Sequence, residues 1–253
     1  MNLPYDLLSK MADEQPYPLL FATVSGAHLY GFPSTDSDFD LRGCHLLPLR
    51  EVVGLNEPQD TIQAAGIRDG LDMDIVTHDA KKFFEILLKR SGELLEQVFS
   101  PLIVHTTPAH EELKIHAKGC LTRHHAHHYF GMSRSQWKLF ASESPRRVKP
   151  LLYVYRGLLT GLYMMHTSEV EANLVTLNTI YKLPYIDEMV ERKRSGPEKG
   201  TLSDTDVAFH ETEFARLTSL LEEAQIKTHL PENTNSKEAL HDFLVQLRLG
   251  EIV

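Results

Sequence analysis

The feature that most constrains this chain is an apolar run ending in small residues, followed at a set distance by paired carboxylates. Residues 19–24 are apolar and β-rich, and Ser25-Gly26-Ala27 ends them in a turn where a backbone can approach a ligand closely. Ten residues separate Ala27 from Asp38-Phe39-Asp40. Residues two apart on a strand share a face, so Asp38 and Asp40 project together. Two carboxylates held side by side repel unless a cation lies between them. Neither Cys nor His occurs beside them, and an oxygen-only donor set suits Mg²⁺ or Mn²⁺ better than zinc.

Around that motif the chain reads as two parts. Residues 4–13 form a short opening helix, with Pro4 suited to its first turn. Residues 19–25 are the first strand and residues 38–47 a second, closed by Pro48. A hairpin follows, residues 61–67 and 71–77 around Arg68-Asp69-Gly70, because Asp-Gly is a strong turn signal. On its returning strand Asp72 and Asp74 share one face and Met73 and Ile75 the other, so either carboxylate is available to join Asp38 and Asp40. From Asp79, a helix cap by type, the period becomes helical, with Phe83, Phe84, Leu87 and Leu88 as its apolar stripe. Helical spacing then dominates residues 120–141, 148–166, 173–182, 206–224 and 237–249, with loops at Ser195-Gly196-Pro197 and at residues 231–235. The expected fold is α+β: a small mixed β-sheet domain over residues 1–106, followed by an all-helical domain over residues 107–253.

These motifs resemble the nucleotidyltransferase superfamily that includes DNA polymerase β. Its signature is an apolar residue, Gly, then Gly or Ser, and after a gap like the one here Asp-x-Asp or Asp-x-Glu. More narrowly, Gly26-Ala27-His28-Leu29-Tyr30-Gly31 and Thr35-Asp36-Ser37-Asp38-Phe39-Asp40-Leu41-Arg42-Gly43 resemble the RNA-ligase-associated nucleotidyltransferases. The likeness continues through Gly92-Glu93-Leu94-Leu95, Ser100-Pro101, the stretch from Tyr129 to Gln136, and a helix bearing Lys149, Tyr153 and Arg156. It selects Asp74 over Asp72, through Asp74-Ile75-Val76 ahead of Lys81-Lys82-Phe83-Phe84. One position departs. The family usually has Ser where this chain has Ala27, so the backbone N–H remains while a hydroxyl that would bond phosphate is gone.

The resemblance implies a polymerase β-like palm and Mg²⁺ or Mn²⁺ held by Asp38, Asp40 and Asp74. It implies transfer of a nucleoside monophosphate from an NTP, ATP foremost, to a hydroxyl acceptor such as an RNA or tRNA end, with release of pyrophosphate. The nucleotide site would use Ser25, Gly26, Ala27, His28, Tyr30 and Ser37. Arg42 belongs to the same site, bracing the carboxylates through a charge-assisted bond more than touching substrate. Lys149, Tyr153 and Arg156 would come from the helical domain, closing over base, ribose or phosphate.

Charge limits the alternatives. A net charge of −9 argues against a protein coated in nucleic-acid-binding surface. Between residues 118 and 199, however, 13 Lys and Arg stand against 7 Asp and Glu, a balance of +6 inside an otherwise acidic chain. A long RNA would want a larger basic surface. Two other readings therefore stay open: a nucleotide- or RNA-binding relative with weak catalysis, and a transferase that nucleotidylates a protein side chain. No apolar run reaches membrane-spanning length, residues 1–15 lack a signal-peptide layout, and Cys44 and Cys120 make no disulfide framework. A cytoplasmic protein with no membrane partner is the expectation.

Lys149 and Arg156 are two turns apart with Tyr153 between them, so the three share a helix face. The strip suits a triphosphate and a stacked base, or a salt-bridged surface answering the acidic first domain. Arg146-Arg147 oppose the dipole at that helix start and so need a partner, which favours a phosphate clamp over a merely solvated helix start. Arg192-Lys193-Arg194 reads as a solvated basic loop. His124, His125, His127 and His128 spread over more than one helix face and lack the glutamate of a zinc-protease motif, so no zinc site is expected there.

Overall fold

The computed structural model describes residues 3–196, 201–202 and 207–251. In chain order its first elements are α1 (Tyr5–Asp13), β1 (Leu19–Val24), α2 (Gly26–Tyr30), β2 (Phe39–His45), α3 (Leu49–Val53), β3 (Thr61–Arg68), β4 (Leu71–Asp79), α4 (Ala80–Leu88), α5 (Gly92–Val98), β5 (Ile103–Thr106) and α6 (Pro108–Lys118). Then come α7 (His125–Ser142), β6 (Arg146–Arg147), α8 (Val148–Thr167), α9 (Leu174–Tyr181), α10 (Pro184–Ser195), β7 (Thr201–Leu202), α11 (Val207–Lys227) and α12 (Lys237–Leu249). Pro197 of the expected loop and Asp206 of the expected helix start lie outside the described residues. No helix among the described residues is long and apolar enough to cross a membrane.

The fold is α+β and divides into two compact units. Unit 1 holds residues 1–26, 38–120 and 233–253, and unit 2 holds residues 27–37 and 121–232. This division does not follow a single break at 106/107, and the reason is packing. The segment expected to close the first domain is a strand, β5, paired antiparallel with β1. Behind it α6 lies against β1 and α5, and α12 returns from the far end of the chain onto α4 and α6. There Phe243 stacks on Phe84 with ring centroids 5.6 Å apart.

Unit 1 is built on a mixed sheet of order β3-β4-β2-β1-β5, in which β2 and β4 are parallel and the other neighbours antiparallel. Every residue of β1 is buried, as an interior strand covered on both faces requires. Phe39, Leu41, Met73 and Ile75 pack with Leu8, Met11 and Ala12 of α1 in one core. Phe21 packs instead edge-on to Phe83 (5.5 Å) and flat on His110 (4.3 Å). Asp69 and Gly70 at the hairpin tip both take positive φ, 48° and 80°, which a tight two-residue turn between twisted strands demands. Asp79 ends β4 and caps α4, accepting from Lys81 N–H (3.0 Å) and from Leu47 N–H (3.0 Å). Arg248 of α12 donates to both of its carboxylate oxygens, at 2.7 and 2.6 Å, and to Leu47 O at 2.5 Å.

His45 gives unit 1 a pH dependence. It is buried at the end of β2, hydrogen-bonded through Nδ1 with Thr77 Oγ1 (2.8 Å) and stacked on Tyr17 (5.5 Å). Burial pulls its pKa from 6.5 to about 4, and burial also lowers His78 and His110. A histidine kept neutral in the folded state takes up its proton first in the unfolded chain. The unfolded state therefore binds more protons between about pH 6.5 and about pH 4, and stability falls as the pH drops through that window. Urea midpoints should decline from about pH 7 to about pH 4.5, and His45→Gln should flatten part of the decline. An unchanged slope in that variant would exclude His45 as the cause.

Unit 2 is helical around α8, which is buried over most of its length among α7, α9, α10 and α11. Gly157 and Gly161 bring the neighbours close. A side chain at Gly157 would meet Met132 and Ser133, and one at Gly161 would meet Leu221 and Tyr129. Trp137 stacks on Phe214 at 5.1 Å, and buried Tyr155 OH is hydrogen-bonded with His210 Nδ1 at 2.7 Å. Arg192-Lys193-Arg194 corrects an expectation. It is the last turn of α10, where cations suit the helix dipole, and Lys193 is buried.

Candidate functional site

Asp40 on β2 and Asp74 on β4 are direct partners in the parallel register. Both are half-buried and point away from the face where Phe39, Leu41, Met73 and Ile75 are packed. Arg42 shares their face. Its Nη2 donates to Asp40 Oδ1 at 2.8 Å, and its Nη1 donates to Asp74 Oδ2 at 3.0 Å and to Leu41 O at 2.8 Å. The small-residue turn is built against the same aspartate. Ser25 N–H donates to Asp40 O at 2.8 Å. Gly26 takes φ +63°, and a Cβ there would run into Asp40 Oδ2, so conformation and space both require glycine.

The other two candidate carboxylates lie outside this register pair. Asp38 is exposed just ahead of β2, and Asp72 is exposed opposite Ile67 of β3. Among the described residues no three His, Cys, Asp or Glu are grouped so as to hold a metal ion. Strand pairing fixes Asp40 beside Asp74, and Asp38 immediately precedes the paired residues.

The middle of the motif belongs to unit 2, so the chain changes unit after Gly26 and again before Asp38. Ser25 in unit 1, and Ala27, Tyr30 and Ser37 in unit 2, are buried, while His28 is partly so. The Arg156 guanidinium lies over the Tyr30 ring, 3.8 Å from its centroid, and Tyr153 meets Tyr30 edge-on at 5.5 Å. Lys149 Nζ is 5.9 Å and the Arg156 guanidinium 5.6 Å from the Tyr153 ring, so the structure does gather Lys149, Tyr153 and Arg156 on one face. Arg156 is only 3% exposed, and its Nη2 donates to Met132 Sδ at 2.9 Å. In this conformation it is a packing element. Arg156→Ala should therefore lower the stability of unit 2 by about 2 kcal/mol or more, the worth of a desolvated cation–π contact. A melting temperature equal to the wild type would refute that role.

Two residues that the sequence placed in a solvated loop hold the middle of the motif. Lys193 Nζ, in a side chain 1% exposed, donates to Ser34 Oγ at 2.6 Å, and Ser34 and Ser37 hydroxyls are 3.0 Å apart. Arg194 Nη2 donates to Gly31 O at 2.7 Å. The signal was present: Ile186, Met189, Val190 and Lys193 are spaced i, i+3, i+4, i+7 and form the buried face of α10. At the start of α8, Arg147 finds its partner in Glu143, Nε to Oε1 at 2.8 Å, and the Arg146 guanidinium lies 6.0 Å from the Phe140 ring. In the histidine cluster His125 is buried beside Thr122, and His127 Nε2 is 3.2 Å from Gln225 Nε2.

Comparison with known proteins adds the following. A family model described as "RlaP: RNA repair pathway DNA polymerase beta family" matches residues 4–246. The uncharacterized protein MJ0002 of Methanocaldococcus jannaschii is 30% identical over 155 residues, covering 61% of this chain and 63% of that protein. The uncharacterized protein YcgL of Bacillus subtilis is 25% identical over 222 residues, 84% of each chain. Among solved structures, a nucleotidyltransferase-like protein from Exiguobacterium sibiricum 255-15 has 11% identity, covering 97% of this chain and 78% of that one with a TM-score of 0.32. The family match runs from the opening helix into α12 and takes in the turn at Gly26 and both strands of the aspartate pair, so the chain belongs to the RlaP family of RNA repair pathway, DNA polymerase β type proteins.

Proposed function

We propose that the protein is a divalent-metal-dependent nucleotidyltransferase acting in the cytoplasm. It moves a nucleoside monophosphate from an NTP, ATP foremost, to a hydroxyl at an RNA or tRNA end. The carrying observation is Asp40 and Asp74 in direct register on adjacent parallel strands, with a glycine turn set against Asp40. In the reaction an acceptor oxygen bonds to the α-phosphorus, the bond to the pyrophosphate bridging oxygen breaks, and the hydroxyl proton leaves to a carboxylate or water.

The donor chemistry fits Mg²⁺ or Mn²⁺, since the pair offers carboxylate oxygens only. Asp40 and Asp74 would hold the ion, with Asp38 as the third carboxylate of the motif. Such an ion neutralises phosphate charge and acidifies the acceptor hydroxyl. The chain supplies the rest. Gly26 gives the triphosphate room beside Asp40, and the Ser25–Gly26 backbone lines the approach. Asp74 is assigned the acceptor side and receives the proton. In unit 2, Lys149 and Tyr153 are proposed to contact nucleotide, with Arg156 and Tyr30 packed as their support and His28, Ala27 and Ser37 in the segment they hold.

The test is transfer of α-phosphate label from each NTP to total RNA and to total protein, with Mg²⁺ or Mn²⁺. Label on RNA that is lost in Asp40→Asn supports the proposal. Label on protein alone moves the acceptor to a side chain. No label on either, with NTP still bound, leaves a nucleotide-binding protein and overturns the transferase.

A further inference from the structure

We propose that Arg42 is a built-in cation that competes with the divalent metal for Asp40 and Asp74, holding the pair closed until metal displaces it. The inference rests on the metal reading above and adds a regulator to that site.

Two like charges directly opposite each other on neighbouring strands destabilise a sheet. Asp40 and Asp74 are such a pair, and the guanidinium between them removes the repulsion without any metal. The choice of oxygens makes this more than bracing. Asp40 Oδ2 is turned against Gly26, where a Cβ would collide with it. The other oxygen, Oδ1, is the one Arg42 holds, and the same guanidinium holds Asp74 Oδ2. An ion seated between the two carboxylates, on Asp40 Oδ1 and Asp74 Oδ2, has to take those oxygens from Arg42. Both strands are pinned by their ladder, so the exchange falls to the arginine side chain, which is 21% exposed.

A plain brace predicts the opposite sign. If Arg42 only oriented the carboxylates, its removal would weaken metal binding. If it competes, its removal strengthens binding. Mn²⁺ affinity, measured by calorimetry and by loss of the free-ion EPR signal, separates the two without reference to activity.

Arg42→Ala should bind Mn²⁺ about tenfold tighter than the wild type, a factor that corresponds to one modest charge pair. Arg42→Lys should fall between them, because an ammonium cannot fork across two carboxylates as a guanidinium does. In metal-free buffer Arg42→Ala should melt below the wild type, and saturating Mn²⁺ should raise its melting temperature by more than it raises the wild type's. Should the alanine variant fail to fold, Arg42→Gln keeps the stem and reads the same sign. Equal or weaker Mn²⁺ binding in the Arg42 variants, with wild-type binding lost in Asp40→Asn, overturns the competition and leaves the metal site standing. Wild-type Mn²⁺ binding that is absent, or unaffected by Asp40→Asn, overturns the metal reading and this inference together.

Discussion

Asp40→Asn is expected to lower nucleotidyl transfer by roughly a thousandfold or more, on the order of 4 kcal/mol of transition-state stabilisation. Asp40 touches every part of the unit 1 site: its backbone carbonyl takes Ser25 N–H, one carboxylate oxygen is set against Gly26, and the other faces Arg42 and Asp74. The amide keeps the shape and removes the charge. On the carboxylates alone the variant would be slightly steadier, since repulsion is relieved. Arg42 offsets that gain, because the variant weakens a charge-assisted bond of 2.8 Å in a half-buried pair, so the two effects on stability oppose each other. Asp74→Asn should be as severe in transfer and Asp72→Asn mild, because Asp72 is exposed across from Ile67 and outside the pair. Single-turnover transfer of labelled NTP, with folding checked by circular dichroism, measures all three. Near-normal transfer in a folded Asp40→Asn protein removes the site.

What could be read from the sequence was local. The apolar run of β1, the Asp-Gly hairpin and the limits of α12 follow from period and turn chemistry within a few neighbouring residues. What could not be read was long-range. Residues 27–37 carry no sign that they join the helical unit, because their anchors are Lys193 and Arg194, 159 and 163 positions away from Ser34 and Gly31. Strand β5 is four residues long and is made a strand by pairing with β1. Lys149, Tyr153 and Arg156 were legible as one face from helical spacing. The burial of Arg156 was not, since it depends on Tyr30 and Met132 arriving from elsewhere. Arg42 was legible as a neighbour of Asp40 two residues along a strand, while its second carboxylate, Asp74, follows from the register between β2 and β4.

The return of α12 into unit 1 supplies the largest expected effect on stability. Arg248→Met should cost about 3–5 kcal/mol, the usual penalty for leaving one partner of a buried ion pair alone. The side chains of Arg248 and Asp79 are 8% and 4% exposed, so solvent does little to screen the charge left behind. Asp79 would keep the N–H groups of Lys81 and Leu47, which fix its position without balancing its charge. Leu47 O would lose its donor in the same step. Methionine fills most of the vacated volume, so the loss reports charge pairing more than a cavity. Adding Asp79→Asn should then restore part of the stability, since no lone charge remains and the amide oxygen can still cap α4. The probe matters, because Trp137 is the chain's single tryptophan and lies in unit 2. Its fluorescence follows that unit, while far-ultraviolet circular dichroism follows the helices of both. Urea unfolding monitored by dichroism should show the lower midpoint in Arg248→Met and its partial recovery in the double variant. A loss below about 1 kcal/mol would put the pair in the class of screened surface bridges and would mean that α12 is held by its apolar face alone.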